Sequence, residues 1–223
     1  MTMTTKKKFA VILSGCGVYD GAEIHEAVLT LLAIANNGAE YQVFAPDIQQ
    51  HHVKNHLTGA DMNETRNVLV ESARIARGKI KPLTELEIKD FDAVVFPGGF
   101  GVAKNLSDYA FKGVDLTVNP QVEQTVKSAY QNGKPIGTLC IAPVIIPKIL
   151  GNVEVTIGNV KETAANIEKL GGKHIETTHG EVVVDKKFKV VSTPCYMLDA
   201  TIDQIYAGAD NLVKEMMKLI INC

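Results

Sequence analysis

Short β-rich apolar runs alternate along this chain with longer stretches whose apolar residues recur at helical spacing. That alternation predicts an α/β protein, a parallel sheet with helices on both faces. Phe9-Ala10-Val11-Ile12-Leu13 is continuously apolar and predicts a central strand, which breaks at Ser14-Gly15-Cys16-Gly17. From Glu23 to Asn36, the residues Ile24, Ala27, Val28, Leu31, Leu32 and Ile34 mark the apolar face of a helix closed by Asn37-Gly38. Tyr41-Gln42-Val43-Phe44 is a second strand, stopped by Pro46-Asp47. The polar segment Ile48 to Gly59 reads as an excursion from the sheet, and helical period returns from Glu64 to Arg77. Ala93 to Phe96 is a third strand, ended by Pro97-Gly98-Gly99, and a helix fits Gln121 to Gln131. Lys134 to Leu139 then leads into Cys140. Beyond it the pattern predicts a short helix from Ala142 to Leu150, a short strand from Val153 to Thr156 and a helix from Thr163 to Leu170. A hairpin of Glu181–Asp185 with Phe188–Thr193 and a closing helix from Asp199 to Ile221 follow. No repeat, low-complexity tract or linker interrupts the pattern, so residues 1–223 are expected to form one domain.

Composition narrows the classes. With 46% hydrophobic and 22% charged residues, the chain has the make-up of a soluble globular protein. A formal charge of −2 supplies no basic surface for nucleic acid or an anionic membrane. The apolar run behind the polar start Met1 to Lys8 is too short for a signal-peptide core or a membrane span. Cys16, Cys140, Cys195 and Cys223 have no paired spacing, which fits neither a disulfide framework nor a zinc site. A reducing, cytoplasmic location is the expectation.

In open α/β sheets ligands bind at the carboxyl ends of the strands. Three strand ends here carry unusual residues: Ser14 to Gly17, Pro97 to Gly101, and Thr138 to Pro143. A strand-to-helix turn at Cys140 would aim backbone N–H groups and a helix dipole at the thiol, favouring thiolate. Gly98-Gly99 suits an oxyanion hole, or simply a turn. Glu23 and Glu26 lie in the first turn after the first strand, as caps or as a general base near the thiol. His51, His52 and His56 read as a solvated loop in preference to a metal site, since no ligand spacing accompanies them. Gly15-x-Gly17-x-x-x-Gly21, with Asp47 ending the second strand, is a competing dinucleotide-binding pattern.

The stretch Val11 to Gly21, with Glu23-Ile24-His25-Glu26-Ala27, resembles the ElbB proteins (enhancing lycopene biosynthesis), of the PfpI branch of the class I glutamine-amidotransferase-like superfamily. His56-Leu57-Thr58-Gly59, Glu64 to Val68, Pro97 to Gly101, Lys104-Asn105-Leu106, Cys140-Ile141-Ala142-Pro143 and Thr193-Pro194 extend the likeness along nearly the whole chain. The resemblance implies a flavodoxin-like sheet, Cys140 at a nucleophile elbow, and a glutamate contacting it, Glu26 with Glu23 as the alternative. It also implies an oxyanion hole from the N–H groups of Gly99 and Ile141, and a homodimer. The activity it implies is cofactor-independent conversion of glyoxal to glycolate, with protein deglycation as a disputed alternative. A small aldehyde or dicarbonyl is then the partner, with no metal and no cofactor. Ile141 stands where peptidase-like members place a histidine, and the strand end at Thr156-Ile157-Gly158 carries no histidine where amidotransferases have one. His174 and His179 come later. Peptidase and glutamine-hydrolase chemistry both need a base for the leaving amine, so both are disfavoured. The expected mechanism is addition of Cys140 to an aldehyde with Glu26 shuttling the proton between carbons. The alternative is a redox sensor with a reactive Cys140 and Cys16 as resolving partner.

Overall fold

In the computed structural model, which describes residues 6–221, the chain runs in the following order. It forms β1 (Lys8–Ile12), α1 (Ile24–Asn36), β2 (Glu40–Ala45), α2 (Val68–Ile75), β3 (Ile80–Pro82), β4 (Ala93–Phe96), α3 (Phe100–Lys104) and α4 (Tyr109–Lys112). There follow α5 (Pro120–Gln131), β5 (Ile136–Leu139), α6 (Ile145–Leu150), β6 (Glu154–Val155), α7 (Lys161–Lys169), β7 (Lys173–His174), β8 (Val183–Asp185), β9 (Val190–Thr193) and α8 (Ile202–Ile221). Seven strands form the main sheet in the order β3-β2-β1-β4-β5-β9-β8. Its pairings are parallel except the β8–β9 hairpin. This is the flavodoxin-like arrangement expected.

The period-two alternation of a strand explains the layering. In β1, Phe9 and Val11 join Ala93 and Val95 of β4 beneath α1 and α8, while Ala10 and Ile12 join Val94 and Phe96 beneath α5 and α6. Both faces are apolar because both are covered, as buried parallel sheets require. Each Val, Ile or Phe among them contributes roughly 1.5–3 kcal/mol on leaving water.

Helix boundaries follow local chemistry. Asn119 Oδ1 accepts from the N–H groups of Gln121 and Val122, and Pro120 occupies the first turn of α5. The helix expected from Glu64 starts only at Val68, because Asn67 caps it by accepting from Val70 N (3.0 Å). Asn67 is itself held in a bridge to Gln49. The stretch Ala142 to Leu150 divides into a 3₁₀ turn (Ala142–Val144) and α6. The expected strand at Val153–Thr156 forms as β6, but it pairs with β7 in a separate two-stranded sheet. β3, α3, α4 and β7 have no period to read: each is five residues or fewer. Cys223 lies outside the described residues. Among those described, no helix is long and apolar enough to cross a membrane.

The strand order reverses beside β1, which has β2 on one side and β4 on the other. A crevice therefore opens at the carboxyl ends of β1 and β4. The loops there are laced together: Gly101 N donates to Gly21 O (2.8 Å), and Asn105 Nδ2 donates to Ser14 O and Asp20 O (both 2.9 Å). A Cβ on Gly101 would lie 2.5 Å from Ser14 O and 2.6 Å from the Gly21 carbonyl carbon, both backbone atoms that cannot swing aside. Gly101→Ala is expected to destabilise the fold by about 1–3 kcal/mol. In urea this reads as a lower midpoint at unchanged m. A wild-type midpoint would show that the loops do not pack this way.

Candidate active site

The strand β5 ends in a residue that few side chains tolerate. Cys140 has φ = 58°, in the left-handed region, a conformation that costs roughly 1–2 kcal/mol for a non-glycine residue. Its N–H donates to Thr193 O at the end of β9 (3.0 Å), which anchors the turn. Gly98, at the end of β4, lies against it: a Cβ there would collide with Cys140 Cβ and with Glu26 Oε2. The elbow thus needs both a strained cysteine and a glycine beside it.

Glu26, in the first turn of α1, is wholly buried. Its Oε2 accepts from Gly98 N and its Oε1 from Tyr196 N, both at 3.1 Å. Burial, and next the charge of Glu23, push its pKa up to about 8, against the opposing pull of these N–H groups and the Cys140 thiol. Glu26, not Glu23, is the carboxyl group hydrogen-bonded to the thiol. Glu23 instead caps α1, its Oε2 accepting from Glu26 N (2.7 Å).

The thiolate expectation does not hold. Burial, followed by the charge of Glu26, raises the Cys140 pKa well above the usual thiol range. The backbone N–H groups of Gly99 and Ile141 do face the sulfur and pull the other way, but burial outweighs them. A short 3₁₀ turn follows Cys140, and α6 begins only at Ile145, so little helix dipole reaches the thiol. Burial thus favours the neutral form of both partners.

Above Cys140 lies a cavity of about 450 Å³. Gly99 and Ile141 form its floor with the cysteine, and Val18, Phe100, Tyr109, Phe111, Asn166 and Met197 contribute to its walls. Tyr196 also lines it and shares a hydrogen bond with His25 Nδ1 through its hydroxyl (2.8 Å). Asn166 Nδ2 donates to Tyr109 Oη (3.0 Å), joining α7 to α4. A larger groove of about 720 Å³ runs between α8 and the segment 175–183. Its lining residues include neither Cys140 nor Glu26.

The remaining candidates separate from the site. Cys16 does not line the cavity; its electrostatic neighbours are Glu71, Arg74, Asp20 and Arg66. The cysteine near Cys140 is Cys195, also at positive φ (43°), buried with its sulfur toward Gly208 of α8. His51 and His52 pack on Phe111 (ring centroids 4.2 and 5.7 Å), while His56 stacks on Tyr19 (4.9 Å). No group of three or more metal-ligating side chains occurs among the described residues. His174 Nε2 accepts from Ile157 N, and His179 bonds to Asp199 O, both away from the cavity. The glycines of the dinucleotide pattern serve packing. A Cβ on Gly17 would come within 2.6 Å of the His56 ring, and one on Gly15 within 3.0 Å of Gln50 Oε1. The room a pyrophosphate needs is filled by side chains, and Asp47 accepts from Asn67 (2.8 Å). Sequence reasoning missed Tyr196 and Met197, which follow Thr193-Pro194 in a three-residue turn, and the wall residues of α4 and α7.

A flavodoxin-like sheet bearing a cysteine elbow over a buried glutamate defines the class. Residues 16–200 match the DJ-1/PfpI family, and the chain belongs to it. It is 48% identical over 222 residues to the human glutamine amidotransferase-like class 1 domain-containing protein 3, mitochondrial, covering 95% of this chain and 83% of that protein. It is 46% identical to the rat ES1 protein homolog, mitochondrial, over 96% of this chain and 84% of that one. The crystal structure of an isoprenoid biosynthesis protein with an amidotransferase-like domain from Ehrlichia chaffeensis superposes with a TM-score of 0.90. Its identity is 35%, covering 96% of this chain and 99% of that one. The expectation of a cytoplasmic protein is overturned by the curated relatives, which are named as mitochondrial.

The Glu26 carboxyl gives the fold a pH dependence of defined sign. Its folded pKa of about 8 lies above the ordinary 4.5, so the unfolded chain gives up this proton first. Stability is full below about 4.5 and is lost as pH rises toward 8. Across pH 5–8 the wild-type Tm is expected to fall relative to that of Glu26→Gln, by about 3–5 °C per pH unit. Parallel Tm profiles would refute the assignment of the raised pKa.

Proposed function

We propose that this chain is an ElbB-like, cofactor-independent glyoxalase that converts small dicarbonyls, glyoxal to glycolate among them, at Cys140. The observation that carries the reading is the buried thiol–carboxyl pair on the floor of a cavity, with the Gly99 and Ile141 N–H groups aimed at the sulfur. The likeness to an isoprenoid biosynthesis protein supports the ElbB assignment.

The chemistry needs one residue that exchanges a single proton repeatedly. Ionised Glu26 takes the Cys140 proton as sulfur bonds to one aldehyde carbon, and the carbonyl π electrons move onto oxygen. The two N–H groups hold that oxyanion until Glu26 returns the proton, giving a hemithioacetal. Glu26 next removes the hydrogen from the sulfur-bearing carbon and delivers it to the neighbouring carbon through an enediol. The product is a glycolyl thioester. Water attacks it, the C–S bond breaks and the thiol is re-formed. Glyoxal plus water gives glycolic acid, with no external oxidant or reductant.

Glu26 suits the role because both its oxygens are pinned by backbone N–H groups while its pKa sits near working pH. The redox-sensing alternative loses its resolving partner, since Cys16 does not line the cavity over Cys140. Among the described residues no histidine lines the cavity, in keeping with chemistry that expels no amine.

Purified wild type is expected to form glycolate from glyoxal without added thiol, with kcat/KM rising through about pH 8 as Glu26 ionises. Cys140→Ala and Glu26→Gln should each lose at least about 100-fold. Full activity in either variant would eliminate this mechanism. A second copy of the chain is the proposed partner, on the exposed apolar row Ile24, Val28 and Leu32 of α1. Sedimentation velocity should show a dimer that Val28→Glu weakens; a monomeric wild type rejects it.

A further inference from the structure

Glyoxal fills a small part of the cavity over Cys140. A volume of about 450 Å³ falls within the range of sites that enclose drug-sized ligands. The walls describe what occupies the rest. Val18, Phe100, Tyr109, Phe111, Ile141 and Met197 present apolar surface, and three of the six are aromatic. Phe100 and Phe111 are 49% and 47% exposed, so two of the large apolar side chains left open to water converge on this one cavity.

The aromatic walls are braced by neighbouring side chains. His51 packs on Phe111 with ring centroids 4.2 Å apart, and Asn166 holds the Tyr109 hydroxyl. α4, which carries both rings, has no fully buried residue: Phe111 supplies cavity wall alone, and Tyr109 supplies wall while its flank packs against the core. Charge narrows the class further. Among the described residues no Lys, Arg or His lines the cavity, and the one lining residue of full charge is Glu162. A carboxylate-bearing aldehyde would find no counter-charge among the lining residues and would face a like charge; Lys104, 5.3 Å from the Phe100 ring centroid, does not line the cavity and donates to Tyr19 O.

We propose that this cavity selects uncharged carbonyl compounds bearing an aromatic or bulky apolar substituent. Resting on the glyoxalase reading, the preferred substrates are aryl or branched-alkyl 2-oxoaldehydes, with their aldehyde carbon at Cys140 and the substituent between Phe111, Phe100 and Met197. Ala110, exposed on α4 and lining the same cavity, is the position where added bulk closes that space.

Two measurements on the full chain test this. The first compares kcat/KM for phenylglyoxal, read as mandelate, with that for glyoxal, read as glycolate. Phenylglyoxal is expected to be favoured about 10-fold, and Ala110→Trp to lower that ratio about 10-fold; equal or reversed preference overturns the substrate class. The second needs no turnover: alkylation of Cys140, located by peptide mapping, with phenacyl bromide, iodoacetamide and iodoacetate. In each case sulfur bonds to carbon and halide leaves. After division by each reagent's rate with glutathione, phenacyl bromide is expected to lead by about 10-fold and iodoacetate to be slowest. Equal normalised rates overturn the aryl-selective cavity. Aryl-selective alkylation without turnover of either aldehyde sinks the glyoxalase reading and the 2-oxoaldehyde assignment together, and leaves the cavity's selectivity standing.

Discussion

The Glu26 carboxyl group holds three distant parts of the chain to one point. It belongs to α1, accepts from Gly98 at the end of β4 and from Tyr196 beyond β9, and meets the thiol at the end of β5. Leaving a carboxyl so deeply buried is costly unless its oxygens are satisfied. Here each oxygen has a backbone donor that no side-chain substitution can remove. An amide in its place would turn an NH₂ toward one of those N–H groups, and a shorter acid could not span between them. The position therefore demands a glutamate, and the strand ends arrange themselves around it.

That demand explains the glycines and the strained cysteines nearby. Gly98 leaves room for both the thiol and the carboxyl, and Gly99 adopts φ = 101° against the backbone of Gly21 and Glu23. Positive φ at Cys140 and Cys195 places strain at the ends of two neighbouring strands, β5 and β9. Such strain persists only where the surroundings over-determine it. The β5–β9 ladder, the Cys140 N–H bond to Thr193 O and the apolar layers on both sides of the sheet supply that constraint.

Much of this was legible in the chain. Continuous apolar runs located β1 and β4, because a strand buried on both faces has no polar side to confuse its reading, while β5, with Gly137 and Thr138 inside it, was read as the stretch leading into Cys140. The elbow at Cys140 and the turn at Gly98-Gly99 followed from where those runs stop. Spacing alone left Glu23 and Glu26 as alternatives, since both fall in one helical turn. The capping bond from Glu26 N to Glu23 separates them, and only three-dimensional geometry reveals it. The protonation of Cys140 was misread because it depends on burial, which a turn motif does not report. Tyr196, Tyr109 and Asn166 were invisible because they reach the cavity from short or distant elements whose periodicity points elsewhere.

The division between floor and wall has an evolutionary consequence. The floor is built from residues that the sheet cannot release without unfolding, whereas no residue of α4 is fully buried and, of its cavity-lining side chains, Tyr109 alone packs against the core. Substitutions there draw little on a narrow margin of stability. A lineage inheriting this fold is free to trade one wall for another, acquiring new specificities by drift along a surface helix while its reactive centre stays fixed.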